Sequence, residues 1–260
     1  MYTLPDTERM TITEQPTSER VSTFVIEPLV PGYGMTIGHS LRRVLLTSLE
    51  GAAVSYVKIA GADHEFTTMK GMKEDIVELI LNLKSLRVRS ESEQPVVIHL
   101  EKKGPGVVTA GDFTANADIT IADADHHLAT LDKNGKLSMD VTIERGRGYV
   151  PTERKGNDKL PLGTIAVDSI FSPIKRVHYD VEHTRVGGQT NYDKLTLELT
   201  TDGTVTPADA MGRAAQILVE HFGIVRDAAQ AAAQTSTEDK PAKKTTKKRA
   251  SKKADDEAAE

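Results

Sequence analysis

The feature that most constrains this fold is a glycine-rich turn between a strand and an amphipathic helix near the N-terminus. The strand, rich in β-branched residues, is predicted over residues 20–27, and the turn at 31–34 contains one proline and two glycines. We expect Thr36 to cap the following helix, residues 37–49, and Gly51 to end it. The helix is expected to direct one face toward a core or toward a second helix.

One face of that helix is apolar because hydrophobic residues recur at spacings of three and four, namely at Ile37, Leu41, Val44, Leu45 and Leu49. Arg42 and Arg43 lie beside this face. Consecutive helical positions differ by about 100°, so at least one arginine is expected to face solvent or a partner. The periodicity alone also fits two solubilising arginines on an exposed flank. Gly32, Gly34 and Gly38 are expected to permit the turn and a close backbone approach.

A second helix is predicted after Thr206, whose hydroxyl suits a helix cap and is followed by proline in the first turn. Its apolar positions form a narrow seam that fits either a helix of a second chain or the core of the same chain: Met211, Ala214, Ile217, Leu218, Phe222 and Val225. Gly223 is expected to weaken the far end of this helix.

The middle of the chain reads as strands with one helix. An apolar helical stripe begins near Ile76, with Glu74 and Asp75 in its first turn. Short alternating strands separated by turn signals fill residues 95–175. The fold class is therefore predicted to be α+β.

Composition excludes several classes of protein. The 260 residues, 38% of them hydrophobic, suffice for one large or two modest domains. No apolar run reaches the ~20 residues that span a bilayer, and no secretory signal is visible. The chain has no cysteine, which excludes disulfides and thiolate zinc sites and favours a cytoplasmic location.

Catalytic and cofactor motifs are absent from the sequence. It contains neither a phosphate-binding Gly-x-x-x-x-Gly-Lys loop nor a Gly-x-Ser-x-Gly nucleophile motif, so no cofactor is expected. A dense group of potential metal ligands occurs at Asp123, Asp125, His126 and His127, which a metal-dependent hydrolase could use. Because adjacent residues of an extended segment alternate sides, a polar strand edge is the favoured interpretation.

The two ends of the chain are polar. Residues 1–17 are expected to form a flexible arm, and residues 231–260 a disordered lysine-rich tail. Between residues 240 and 253 the tail carries eight Lys or Arg and no acid, although the whole chain has a net charge of −5. Such a block either binds nucleic-acid phosphates weakly or serves solubility.

The turn and helix carry a resemblance to a known family. Residues 27–29, 32–34, 36–38 and 41–46 closely resemble the start of the bacterial RNA polymerase alpha subunit. Residues 74–75 and 81–84 and the Arg-Gly-Arg-Gly-Tyr loop at 145–149 are also similar, and the resemblance covers about residues 18–230.

This resemblance implies a discontinuous dimerisation domain, residues 18–48 and 175–230, built of strands and two packed helices. An inserted β-rich domain, residues 49–174, interrupts it. The implied role is a homodimeric, non-catalytic subunit of a nucleotidyltransferase that nucleates assembly of the beta and beta-prime subunits. Arg43 matches the arginine that supports beta binding, with Arg42, Leu46 and Lys84 as supporting candidates. The implied dimer interface comprises Leu41, Val44, Leu45, Met211, Leu218 and Phe222.

The C-terminal region departs from the family pattern. Typical members continue into a compact helical domain that binds upstream promoter DNA and activators, whereas this sequence ends in the lysine block. We therefore expect DNA contact only indirectly or through the tail. A free-standing dimeric nucleic-acid-binding module acting through that tail remains the alternative hypothesis.

Overall fold

A computed structural model describes residues 10–155 and 161–238 of the chain. Helices occupy Tyr33–Thr47 (α1), Ile76–Ser85 (α2) and Pro207–Glu238 (α3). The strands are Thr11–Ser18 (β1), Val21–Leu29 (β2), Glu50–Ile59 (β3), Val88–Ser90 (β4), Val96–Lys103 (β5), Gly106–Thr109 (β6), Ile119–Ile121 (β7), His127–Leu131 (β8), Lys136–Arg147 (β9), Tyr149–Val150 (β10), Thr164–Ala166 (β11), Ser169–Ile170 (β12), Ile174–Val186 (β13) and Gln189–Thr201 (β14). The α+β prediction is confirmed.

One antiparallel sheet joins strands from distant parts of the chain, in the order β1-β2-β14-β13. Strand β2 alternates between buried and half-buried residues, so its side chains facing the core come from every second position. Helix α1 packs on β13 and β14. The core between helix and sheet contains Phe24, Leu41, Leu45, Leu197 and Leu199, all buried.

A second sheet has the order β5-β9-β3-β4-β7, with β11 added beside β3. Helix α2 packs against β8 and β3. The apolar stripe of α2 lies in a separate, larger core, in which Ile76, Leu79 and Leu83 are fully buried. Two further antiparallel pairs, β6 with β8 and β10 with β12, complete this part of the fold.

The chain passes between the two cores at residues 49–51 and returns at 171–174. At this crossing the backbone of Gly51 lies so close to Phe171 that a Cβ on the glycine would overlap the Phe171 carbonyl oxygen. A Cβ on Gly146 would lie 2.8 Å from the Phe171 ring. A Cβ at residue 51 would therefore push against backbone, whereas a Cβ at residue 146 would require the Phe171 ring to move.

Helix α1 begins earlier than the sequence predicts. Its N-cap is Gly32, whose φ of 85° is in the left-handed region that favours glycine, and no side chain caps the helix from that position. The prediction that Thr36 caps the helix is wrong, since Thr36 lies inside it and its hydroxyl contacts the Gly32 carbonyl at 3.4 Å. The helix also ends at Thr47, with Ser48 rather than Gly51 after it.

Other boundaries agree better with the sequence. The Thr206 hydroxyl accepts a hydrogen bond from the Asp209 amide (3.2 Å), which confirms the predicted start of α3. Asp75 caps α2 by accepting from the Glu78 amide at 2.7 Å. Glu74, predicted in the same helical turn, instead accepts from the amide (2.6 Å) and hydroxyl (2.9 Å) of Thr130.

The described ends of the chain are more regular than predicted. Residues 11–17, expected in a flexible arm, lie in β1, because β2 offers a free edge whose backbone groups pair with this strand. Residues 231–238, expected in a disordered tail, continue α3 through a run rich in alanine, the strongest helix former. Residues from Glu220 onward belong to a second compact unit, of which the structure describes residues 220–238. The rest of the predicted arm and tail, residues 1–9 and 239–260, lies outside the described residues.

Candidate subunit-binding surface

Helix α1 is held at its start by a carboxylate that is distant in sequence. Oδ2 of Asp193, on β14, accepts hydrogen bonds from the amides of Gly32 (2.8 Å) and Gly34 (3.0 Å). The first amides of a helix lack intrahelical partners, and a negative charge there is stabilised by the helix dipole. Oδ1 of the same residue lies 3.6 Å from Nδ1 of His183. Sequence reasoning missed Asp193 because no local pattern relates it to residues 32–34.

The predicted close approach at the turn and helix is present in the structure. A Cβ on Gly34 would lie 2.7 Å from Cγ1 of Val181, and one on Gly38 would lie 2.7 Å from Cδ2 of Tyr179. Both glycines are buried and face the sheet. Because the helix backbone rests directly on the sheet at these points, α1 has little freedom to tilt or rotate.

The opposite flank of α1 presents two cations. Arg42 and Arg43 are both exposed, and neither forms an ion pair with any residue that the structure describes. Leu46, one turn further along, is half-buried against the core between α1 and the sheet. A rigid helix with free guanidinium groups is well suited to bind carboxylates of another molecule, because Arg presents its donors in a planar fork.

The residues expected at the dimer interface occupy different environments. Leu41 and Leu45 are 5% and 0% exposed and pack in the core of their own chain. Val44, Met211 and Leu218 are half-buried around the same core, whereas Phe222 is 64% exposed. Any face that α1 and the first part of α3 offer to a second chain therefore consists of Val44, Met211 and Leu218 more than of the two leucines.

Lys84 lies on a different surface and is already paired. Its Nζ is 2.8 Å from Oδ2 of Asp168, which also accepts from the Tyr149 hydroxyl at 2.9 Å. Oδ1 of Asp168 accepts from the Thr152 amide at 3.0 Å. The hydrogen bond from Lys84, supported by these donors, lowers the pKa of Asp168 to about 2. The same hydrogen bond raises the pKa of Lys84, so this lysine is charged and held by its own chain.

The arginines of the Arg-Gly-Arg-Gly-Tyr loop belong to the end of β9. Glu50 accepts hydrogen bonds from Nη2 of Arg145 (3.3 Å) and from Nε of Arg147 (3.0 Å). The hydrogen bond from Arg147 lowers the pKa of Glu50. The pairing joins β9 to the start of β3.

The four potential metal ligands of residues 123–127 do not converge. Nε2 of His126 lies 2.9 Å from the Asn82 carbonyl of α2, whereas Nε2 of His127 lies 3.2 Å from the Thr130 hydroxyl. In the described ranges 10–155 and 161–238, no three His, Asp or Glu side chains come together as ligands for a metal ion. The structure thus offers no support for the metal-dependent hydrolase.

Comparison with known proteins relates the chain to one family. Residues 57–172 match the family model described as the RNA polymerase Rpb3/RpoA insert domain. A protein of Symbiobacterium thermophilum named DNA-directed RNA polymerase subunit alpha is 55% identical over 198 residues, which is 76% of this chain and 63% of that relative. The chain belongs to the RNA polymerase alpha subunit family.

Other alpha subunits show the same degree of similarity. The protein of that name from Clostridium botulinum is 52% identical over 199 residues, covering 76% of this chain and 63% of the relative. The one from Bifidobacterium adolescentis is 49% identical over 220 residues, covering 85% and 66%. This chain therefore spans somewhat less than two thirds of the length of these curated alpha subunits. No helix in the described part of the chain has the length and apolar composition needed to cross a bilayer.

Proposed function

We propose that this chain is the assembly scaffold of a bacterial-type DNA-directed RNA polymerase, in which two copies form a homodimer that binds the beta and beta-prime subunits. The observation that carries the proposal is the exposed pair Arg42 and Arg43 on a helix held rigidly to its sheet, in a chain about half identical to alpha subunits. In this role α1 supplies the beta contact through Arg43, with Arg42 and Leu46 beside it.

The dimer would use the surface that α1 and α3 leave open. Val44, Met211 and Leu218 are half-buried in the single chain, so a second copy could cover apolar area that now meets water. Phe222, further along α3 and 64% exposed, is proposed as a separate apolar contact with the second copy. The proposed dimerisation domain comprises residues 18–48 and 175–230, and the proposed inserted domain residues 49–174. Two separate hydrophobic cores support this division.

Lys84 has a weaker claim to a partner contact than the arginines. Its side chain is 27% exposed, and its ammonium group already forms an ion pair with the carboxylate of Asp168. We propose that it contributes by shaping the surface around α2.

We further propose that nucleotide addition resides in the partner subunits, and that the assembly acts in the cytoplasm where the DNA lies. The relatives are named as one subunit of the polymerase, which supports a division of labour. The alternative, a nucleic-acid-binding module acting through residues 240–260, depends on a segment outside the described residues, and no observation in the structure favours it.

Replacing Arg43 with alanine tests the proposal. Because Arg43 is exposed and forms no ion pair with a described residue, Arg43→Ala should leave folding and dimer mass unchanged. Loss of its guanidinium should weaken capture of the purified beta subunit by about tenfold or more. The measurement is co-purification at fixed salt, with dimer mass obtained by light scattering.

Lys133→Ala provides the matched control, since Lys133 is an exposed cation in the turn between β8 and β9, two strands that contribute to the larger core. It should capture beta like the wild type. Equal capture by Arg43→Ala and the wild type would refute the assignment of Arg43, and a wild-type chain that captures no large subunit would refute the scaffold role.

A further inference from the structure

A cleft lined by arginines lies where β9, the end of α1 and the first turns of α3 meet. We define the arginine cleft by Glu50, Arg145, Arg147, Gly212 and Arg213. Its volume is about 420 Å³, and Glu50, Arg145 and Arg213 also line an adjoining recess of about 140 Å³. The cleft lies apart from Arg42 and Arg43, which do not line it.

The cleft carries more positive than negative charge. Three guanidinium groups line its larger part, whereas Glu50 supplies one carboxylate. Glu50 is shared between Arg145 and Arg147, and Arg145 contributes a single 3.3 Å hydrogen bond to it. Arg213 is exposed and has no ion-pair partner among the described residues. Two positive charges are therefore available for an anion.

Gly212 has a position that the fold of this chain does not explain. It lies inside α3, where glycine is less stable than alanine because its backbone loses more freedom. Helical glycines usually permit the close approach of another segment, as Gly38 does, yet no atom of residues 10–155 or 161–238 lies within 4 Å of the Cβ position at Gly212. The helix backbone is therefore open to a group from outside the chain, next to Arg213.

We infer that the arginine cleft receives an acidic segment of a protein partner in the assembled polymerase, with Arg213 binding its carboxylate and Gly212 admitting its backbone. The inference rests on the proposed scaffold function. Arginine binds carboxylates through two parallel hydrogen bonds, and an excess of two positive charges complements an acidic peptide. The larger recess, with about 420 Å³, has room for side chains of a peptide rather than for a single ion only.

The test compares two cleft variants in reconstitution with purified beta and beta-prime subunits. Arg213→Glu reverses the charge that has no ion-pair partner, and Gly212→Leu fills the open space above the helix. Lys133→Glu makes the same change in net charge in the β8–β9 turn and serves as control. Each variant is first checked for an unchanged dimer mass, and capture is then titrated at a fixed salt concentration.

Both cleft variants should capture at least one large subunit about tenfold more weakly than the wild type, while the control is unaffected. Capture by both cleft variants at wild-type strength would overturn the inference and leave the scaffold role intact. If the wild type captures neither subunit, the scaffold role and the inference fail together. If both variants assemble normally but lose binding of a labelled DNA duplex, the cleft is a phosphate site and the protein-partner inference is wrong.

Discussion

At the scale of the residue, two helical glycines have opposite surroundings. Gly38 of α1 faces the sheet, where a Cβ would lie 2.7 Å from the Tyr179 ring and 2.9 Å from Cδ1 of Leu195. At Gly212 of α3, no atom of the part of the chain that the structure describes lies within 4 Å of the Cβ position. Helix propensity favours alanine at both positions. The surroundings therefore decide whether replacement by alanine raises or lowers the free energy of unfolding.

We predict that Gly38→Ala lowers the free energy of unfolding by about 1 to 2 kcal/mol, since overpacking outweighs the gain in helix propensity. Gly212→Ala should raise it by about 0.5 to 1 kcal/mol. Urea unfolding of both variants under identical conditions measures the difference. Two changes of the same sign would show that packing against the sheet does not explain Gly38.

The sequence alone indicates part of the turn that leads into α1. The sequence predicts a turn and close approach at Gly32, Gly34 and Gly38. In the structure Gly32 lies in the turn with a φ of 85°, and only Gly34 and Gly38 lie close to the sheet. It does not predict Asp193, because that carboxylate is 159 residues from Gly34, and only the pairing of β14 with β2 brings them together. Long-range partners of this kind leave no local periodicity to detect.

At the scale of the element, Asp168 joins α2 to the segment around β10. It binds Lys84 of α2, the Tyr149 hydroxyl of β10 and the Thr152 amide that follows. The side chain is 28% exposed, so the pairing is partly shielded from water. One carboxylate thus holds three segments together in its ionised form.

The pKa of Asp168 predicts how this contribution depends on pH. Its folded-state value of about 2 lies below the ordinary 3.8, so the carboxylate stabilises the fold above pH 3.8 and loses this effect as the pH falls toward 2. Asp168→Asn should cost about 1 to 2 kcal/mol near neutral pH, after allowance for solvent screening. Urea unfolding at about pH 7 and about pH 3 should show a smaller cost at the lower pH. A cost that is constant across this range would show that charge is not its origin.

Elements were predicted well where their sequence pattern is local. Strand β9 alternates regularly within the region predicted as strands, and the Thr206 cap lies next to the helix that it begins, α3. The start of α1 and the existence of β1 were missed. The start of α1 depends on Asp193, and β1 depends on the pairing of a polar segment with β2. Both are long-range contacts, which the local propensities of the residues do not predict.

At the scale of the whole molecule, the crossing between the two cores is the most constrained point. A Cβ on Gly51 would meet the Phe171 backbone, which cannot rotate away as a side chain can. Gly51→Ala should therefore cost about 3 kcal/mol or more, above the cost at Gly38. Gly188→Ala is the control, because nothing lies within 4 Å of its Cβ position and its φ is not in the left-handed region. Thermal and urea unfolding of both variants measure the costs, and similar values for the two would contradict the constraint.

Because the chain is synthesised from its N-terminus, the sheet order β1-β2-β14-β13 delays the completion of this sheet. Strand β2 and the turn before α1 are synthesised early, yet their partners β14 and Asp193 follow about 160 residues later. The larger core, by contrast, is complete once Val167 has emerged. The middle of the nascent protein can thus fold before α1 has a sheet to pack against. Until β14 is synthesised, the apolar face around Leu41 and Leu45 is exposed and can bind chaperones.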